Sequence, residues 1–317
     1  MKGLMQDWPL LVHTFIDHAS LHHGDREIVT RKVEGDIHRT NYSEIHSRAR
    51  KFSKSLIKLG VKKSDVIGTL AWNTHRHLET WYGITGVGAI YHTLNPRLFL
   101  EQLEYIINHA DNKYIIADIT FVKILEGIEA KLPNVKGFIF LTDSANMPET
   151  NLKNIFCYED MINAEDNDYK WLKVEETDAC GLCYTSGTTG NPKGVLYSHK
   201  SNVLHTLVAN NADAMGIKST DSVMPVVPMF HANAWGLSFS APMSGCKVVM
   251  PGMNMDGESI YQLLTDEKVT FTAAVPTVWL MLLQYLEANN LDLPFLERVA
   301  IGGSAVPRVM LEKFERD

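Results

Sequence analysis

The chain has 317 residues, 45% of them hydrophobic and 21% charged, and its 30 Lys and Arg against 37 Asp and Glu give a formal net charge of −7. At roughly 100–200 residues per domain, this length suggests about two domains and a sizeable core, which excludes a disordered chain or a small stapled scaffold. The mild acidity, with no basic cluster interleaved with aromatics, gives no electrostatic reason to expect nucleic acid or an anionic membrane as partner and points to a small molecule instead.

At the N-terminus, Asp7 and Asp17 interrupt the apolar run that a signal peptide needs, so no export signal is expected. Asn41 and Glu44 have capping-box spacing, and Ile45, Ala49, Phe52, Leu56 and Leu59 then recur at three and four residues before Gly60, which predicts an amphipathic helix. An apolar run from Val66 to Trp72 leads to a helix from Thr74, whose Gly83, Gly86 and Gly88 read as packing devices. Strand Gly88–Leu94, turn Asn95–Pro96, a helix near Glu101–His109 and strand Tyr114–Ala117 come next. His22–His23 and the pair His75 and His77 lack cysteine or carboxylate partners at ligand spacing and read as surface.

Residues 143–168 are polar with few periodic apolar positions, and they read as a surface connection between two halves. Beyond them come strand Ala179–Thr185, helix Ser198–Met215, strands Ser222–Val227 and Lys247–Met250, helix Ser259–Asp266, strand Thr270–Val275, helix Thr277–Leu286, strand Arg298–Ile301 and a helix opened by Pro307. Such alternation predicts an α/β fold of largely parallel sheets with helices on both faces, whose ligands lie at the carboxyl ends of strands. The longest stretch free of Asp, Glu, Lys and Arg, Ser222–Cys246, contains Pro225, Pro228, His231, Asn233 and Pro242, so it reads as interior or pocket wall and no transmembrane segment is expected. Four cysteines, Cys157, Cys180, Cys183 and Cys246, suit a reducing cytoplasm. Cys180 and Cys183 match C-x-x-C, but residues three apart on a strand point to opposite faces, which disfavours a disulfide or a shared zinc.

The most informative segment is Tyr184-Thr185-Ser186-Gly187-Thr188-Thr189-Gly190-Asn191-Pro192-Lys193-Gly194, directly after a strand. Glycines let backbone N–H groups approach a polyphosphate, hydroxyls donate further hydrogen bonds, and the lysine adds a mobile positive charge. Pro192 stands where a Walker loop needs its second glycine, Tyr91 takes the third glycine's place in a dinucleotide fingerprint begun by Gly86 and Gly88, and no G-x-S-x-G elbow occurs. A plain Ser/Thr/Gly surface loop is the alternative. A second constellation pairs His231 with Trp235, which share a face if their segment is helical, although a lone histidine in an apolar segment is more often a core residue. The third is Gly302-Gly303-Ser304-Ala305, between strand and helix, where two glycines permit a ring or an acyl chain to lie against the backbone; a simple tight turn is the other reading.

The string YTSGTTGNPKGV resembles the signature loop of the adenylate-forming superfamily, and three other segments fit in the same order: Thr93-Leu94-Asn95-Pro96-Arg97-Leu98, Pro228-Met229-Phe230-His231-Ala232-Asn233-Ala234-Trp235-Gly236 and Gly302-Gly303-Ser304-Ala305-Val306-Pro307. The resemblance covers essentially the whole chain and lies nearest the fatty acyl-CoA synthetases and the methylthiopropionate-CoA ligases. It implies two packed sheets in an αβαβα layering, with residues 1–317 forming an incomplete AMP-binding N-terminal domain divided near 143–168. It also implies activation of a small-molecule carboxylic acid by ATP and magnesium, giving an acyl-adenylate and pyrophosphate, and then transfer to coenzyme A. Thr185, Ser186, Gly187, Thr188, Thr189, Gly190 and Lys193 would hold the phosphates, with Thr185 near magnesium and Lys193 as a clamp. His231 would lie beside the acyl carboxylate and Trp235 over the acyl tunnel, with Gly302, Gly303, Ser304 and Ala305 at the adenine and acyl carbonyl. A homodimer is a further expectation of the resemblance.

The family's later motifs, including a magnesium-binding glutamate and the catalytic lysine of a small C-terminal domain, are not among these residues, so the expectation is a medium- or long-chain ligase whose 317-residue chain is inactive alone. A short-acyl ligase and a truncated, non-catalytic nucleotide- or acyl-binding module stay open.

Overall fold

The computed structural model describes residues 1, 3–5, 7–185 and 191–316. Its strands, in chain order, are β1 (Glu27–Arg31), β2 (Ile37–Asn41), β3 (Val66–Leu70), β4 (Ile90–Thr93), β5 (Asn112–Ala117), β6 (Phe138–Phe140), β7 (Ile155–Cys157), β8 (Ala179–Thr185), β9 (Lys193–Ser198), β10 (Ser222–Pro225), β11 (Lys247–Met250), β12 (Phe271–Ala274) and β13 (Arg298–Ile301). One six-stranded sheet has the order β13-β12-β10-β11-β1-β2 and is parallel up to its antiparallel edge strand β2. The seven-stranded sheet has the order β7-β6-β5-β3-β4-β8-β9 and is parallel up to the antiparallel pair β8–β9.

The helices are α1 (His13–His22), α2 (Tyr42–Lys58), α3 (His75–Gly86), α4 (Leu100–His109), α5 (Val122–Ile128), α6 (Tyr158–Asn163), α7 (His199–Ala209), α8 (Leu237–Ser244), α9 (Gly257–Asp266), α10 (Pro276–Asn289) and α11 (Arg308–Arg316). Successive strand residues point to opposite faces, and each strand's apolar side chains are accordingly divided between two cores. Ile116 and Ile139 join Ile45, Phe52, Trp81 and Phe239 in a core that also takes Val223 and Val248 from the other sheet. Their neighbours Ile115, Phe138 and Phe140 face Leu103, Ile106 and Leu125. Met224 and Val249 face Ile260, Leu264, Trp279 and Leu282. The layering is therefore α4 and α5, the seven-stranded sheet, a shared layer of α1, α2, α3 and α8, the six-stranded sheet, and α9 to α11. Among the described residues no helix is long and apolar enough to cross a membrane.

Several elements differ from the sequence reading. The stretch 143–168 is more than a connection, because β7 extends the seven-stranded sheet and the Tyr158 hydroxyl of α6 donates to Glu79 at 2.8 Å. The capping box is half formed: Asn41 accepts the Glu44 N–H at 2.9 Å, but the Glu44 carboxylate takes the Thr40 hydroxyl at 2.8 Å. Lys193–Ser198 is a strand, and α7 ends at Ala209. His75 and His77 are buried, at 2% and 0% exposure, because α3 is covered along its whole length by the layers on either side. Close packing also accounts for Gly86, where a Cβ would lie within 2.3 Å of Trp171.

Burial of His77 fixes its protonation. Nδ1 is 3.0 Å from the Trp72 carbonyl, and Nε2 is 3.1 Å from the indole N–H of Trp81, which can only donate. The imidazole must therefore be neutral, with its proton on Nδ1. Desolvation lowers its pKa to about 4, and burial does the same for His92 and His199. The unfolded chain gains these protons below about pH 6.5 while the native chain does not, so stability is lost as pH falls from there toward 4. Urea unfolding at pH 7.5 and pH 5 should show the loss, and His77→Gln should reduce it by about 2 kcal/mol; an identical pH dependence in the variant would remove His77 from the account.

Candidate functional site

Thr185 ends β8, His231 and Trp235 follow β10, and Gly302 and Gly303 follow β13, each at or beyond a strand's carboxyl end. Thr185 and Lys193 are antiparallel partners on β8 and β9, with Thr185 Oγ1 3.5 Å from the Lys193 carbonyl. Both are exposed. Ser186, Gly187, Thr188, Thr189 and Gly190 lie outside the described residues. Tyr184, just before them, is fixed from below: its hydroxyl lies 2.6 Å from His109 Nδ1, and its ring packs 5.1 Å from that of buried His92. Register pairs Thr93 of β4 with Cys183, so the segment Leu94–Leu98 leaves its strand beside the same end of β8. Cys180 and Cys183 are both free thiols, and Asn202 Nδ2 donates to Cys180 Sγ at 3.2 Å.

The second constellation has an unusual backbone. His231 is exposed at the start of a short turn, Ala232–Gly236, in which Ala232, Asn233, Ala234 and Trp235 have φ of 46°, 55°, 51° and 53°. The turn winds left-handed, which corrects the reading of His231 and Trp235 as neighbours on one face of an ordinary helix. Left-handed winding costs L residues roughly 1–2 kcal/mol each, so the turn persists only if its surroundings over-determine it. Gly236, at φ 81°, ends it, and α8 continues the chain as a buried segment.

The third constellation meets the second directly. A Cβ at Gly302 would lie 3.1 Å from Cη2 and 3.3 Å from Cζ2 of Trp235, so the indole rests on bare backbone at the carboxyl end of β13. Gly303, at φ 84°, turns the chain away; Ser304 and Ala305 are exposed, and Pro307 stands just before α11 rather than within it, its carbonyl accepting the Met310 N–H at 2.9 Å. Trp235 and Gly302 thus form one wall, while Thr185 and Lys193 stand on the β8–β9 pair of the other sheet.

Asn73, at the carboxyl end of β3, was not legible from periodicity. It is buried and hydrogen-bonds the backbone of the segment that leads into His231. Asp118, at the end of β5, accepts the Trp72 N–H at 2.6 Å, and burial raises its pKa to about 7. Among the described residues there is no group of three or more His, Cys, Asp or Glu side chains that could hold a metal ion.

The chain matches the family described as AMP-binding enzyme over residues 16–317. A medium-chain-fatty-acid–CoA ligase of Ectopseudomonas oleovorans is 43% identical over 314 residues, covering 99% of this chain and 58% of that protein. A 3-methylmercaptopropionyl-CoA ligase of Ruegeria lacuscaerulensis is 44% identical over 314 residues with the same coverage. The chain thus spans about 58% of the length of these relatives. The crystal structure of the anthranilate CoA ligase AuaEII in complex with anthranoyl-AMP superposes with a TM-score of 0.87 at 20% identity, over 99% of this chain and 59% of that one, which establishes the fold.

The contact between Trp235 and Gly302 can be checked in solution. Gly302→Val should displace the indole and raise acrylamide quenching of tryptophan fluorescence, and the rise should vanish in a Trp235→Phe background; unchanged quenching in Gly302→Val would refute the contact.

Proposed function

The chain belongs to the AMP-binding enzyme family, and from that premise we propose that it provides the nucleotide- and acyl-binding site of an ATP-dependent acyl-CoA ligase acting on medium- or long-chain fatty acids. Two observations carry this reading: an exposed hydroxyl and lysine face each other across the strands where β8 ends and β9 begins, and an indole is laid on bare backbone at Gly302, just past the carboxyl end of β13. The first suits a polyphosphate and the second suits an apolar chain. A cytoplasmic location belongs to the same reading, supported by four free thiols.

In this reading the acid's carboxylate attacks the α-phosphorus of ATP, pyrophosphate leaves, and the thiol of coenzyme A later takes the acyl group with release of AMP. Two anions must approach one another in the first step, so catalysis is positioning plus electrostatic stabilisation. Lys193 would neutralise phosphate charge while the Thr185 hydroxyl donates to a phosphate oxygen or ligates magnesium, an ion that supplies further charge neutralisation when bound. His231, exposed at the turn's entrance, would lie beside the carboxylate, and Trp235 would form the wall along which the acyl chain runs. Gly302 and Gly303 would let the adenylate lie close to the backbone, with Ser304 and Ala305 flanking it. Lys193→Ala should weaken ATP binding to the chain by about tenfold in isothermal titration, the loss of one charge-assisted contact; unchanged affinity would remove the clamp.

A second reading, a short-acyl ligase, is favoured by the 44% identity to the 3-methylmercaptopropionyl-CoA ligase. Acyl-sulfamoyl adenosines, stable mimics of the mixed anhydride, separate the two when titrated into the chain from methylthiopropionyl to palmitoyl. Tightest binding at eight carbons or more is the expected result, and Trp235→Ala should shift the optimum. Tightest binding by the methylthiopropionyl mimic would establish the second reading, and no binding along the series would sink both.

A further inference from the structure

Asn73 is 1% exposed, and every hydrogen-bonding group of its carboxamide but one lone pair is engaged with a single stretch of chain. Nδ2 donates to the Pro225 carbonyl at 2.7 Å and to the Val227 carbonyl at 3.0 Å, and Oδ1 accepts the Met229 N–H at 2.7 Å. Met229 is 156 positions away in sequence and lies beyond the carboxyl end of a strand in the other sheet. The main chain adds to the attachment, since the Gly252 N–H donates to the Asn73 carbonyl at 3.1 Å. Next to it, the Trp72 ring lies 5.9 Å from that of Phe230, and the indole N–H is held by Thr120 at 3.1 Å. The stretch Pro225–Phe230 is thus tied to the seven-stranded sheet up to the residue before His231.

Immediately downstream of His231 the chain enters the left-handed turn Ala232–Trp235. A turn of this kind relaxes unless both of its ends are held. Gly236 and buried α8 hold the downstream end. Upstream, beside the Trp72–Phe230 ring contact, the carboxamide of Asn73 hydrogen-bonds the stretch to the opposite sheet, and its two donors and one acceptor match two carbonyls and one N–H. Leucine of similar size would remove all three of these hydrogen bonds, and aspartate would keep only the one from the Met229 N–H.

We propose that Asn73 is a positioning residue for the acyl end of the site: it sets His231 and Trp235 opposite Gly302 through the Pro225–Met229 backbone and touches no substrate itself. The proposal rests on the acyl-activating reading above. It carries a signature that simple stabilisation lacks. The anchor bears on the acyl wall, whereas Thr185 and Lys193 stand on β8 and β9, so its loss should discriminate between ligands.

Titration of the 317-residue chain with octanoyl-sulfamoyl adenosine and with ATP, together with amide hydrogen exchange, tests it. Asn73→Leu is expected to weaken the octanoyl mimic by about tenfold or more while ATP affinity moves by less than about threefold, and to speed exchange selectively in residues 228–236. Asn73→Asp keeps the acceptor, so it should retain protection of the Met229 N–H while losing affinity for the mimic; it also carries the test if the leucine variant does not fold. Equal losses for mimic and ATP, exchange rising throughout the chain, or wild-type affinity in both variants would overturn the proposal. Failure of the unaltered chain to bind the octanoyl mimic would instead overturn the acyl-activating reading, and the proposal with it.

Discussion

A helix enclosed between two sheets and its neighbouring helices has no solvent-facing side, and that constraint shapes the middle of this molecule. Helix α3 is buried from His75 to Gly86, so its polar side chains find partners inside the protein or do without. His77 is satisfied by a carbonyl on one nitrogen and an indole donor on the other. Arg76 and Glu79 can remain charged there only because other charges come to them.

Those charges form one network across four segments. Arg48 of α2 donates to Glu79 at 2.7 Å and to both oxygens of Glu159, at 3.1 and 2.9 Å, and Arg76 donates to Glu159 and to Glu34, each at 2.7 Å. The Tyr158 hydroxyl donates a hydrogen bond to the second oxygen of Glu79. Such a network adds little net stability over a well-packed apolar core, but removing one member would leave a buried charge uncompensated, at a cost of about 3–5 kcal/mol. Its effect here is to fix relative placement: α6, reached through the polar stretch 143–168, is locked onto α2 and α3. Polar composition marked that stretch as surface, yet it supplies a carboxylate, Glu159, to a largely buried network.

Much of the fold was legible because period-two and period-3.6 patterns survive burial. The start of α2, the strand ends at Thr185 and Ile301 and the parallel α/β class are all encoded in local residues and turn signals. The failures have a common physical form. His75 and His77 read as surface because imidazoles are polar, and what buries them is a second sheet that periodicity does not reveal. The left-handed turn at Ala232–Trp235 was hidden because Asn233 and Gly236 alone carry local evidence of positive φ, and Ala232, Ala234 and Trp235 adopt that conformation against their own preference. Asn73 was invisible for a third reason, since an asparagine ahead of a helix ordinarily serves the helix, and here Thr74 is the residue that caps it.

The candidate site belongs to neither sheet alone. Trp235 reaches Gly302 within the half built on the six-stranded sheet, while Thr185 and Lys193 belong to the seven-stranded one, and Asn73 is a hydrogen-bonded link between the halves. Contacts that join residues so far apart in sequence must await the ordering of the intervening chain, because loop closure opposes them until both partners are in place. Local sequence therefore specifies the walls of the site, and their mutual placement is a property of the assembled layers. That is why a motif read along the chain can name Lys193, His231 and Gly302, while the geometry proposed to make them act together rests on a side chain outside every motif.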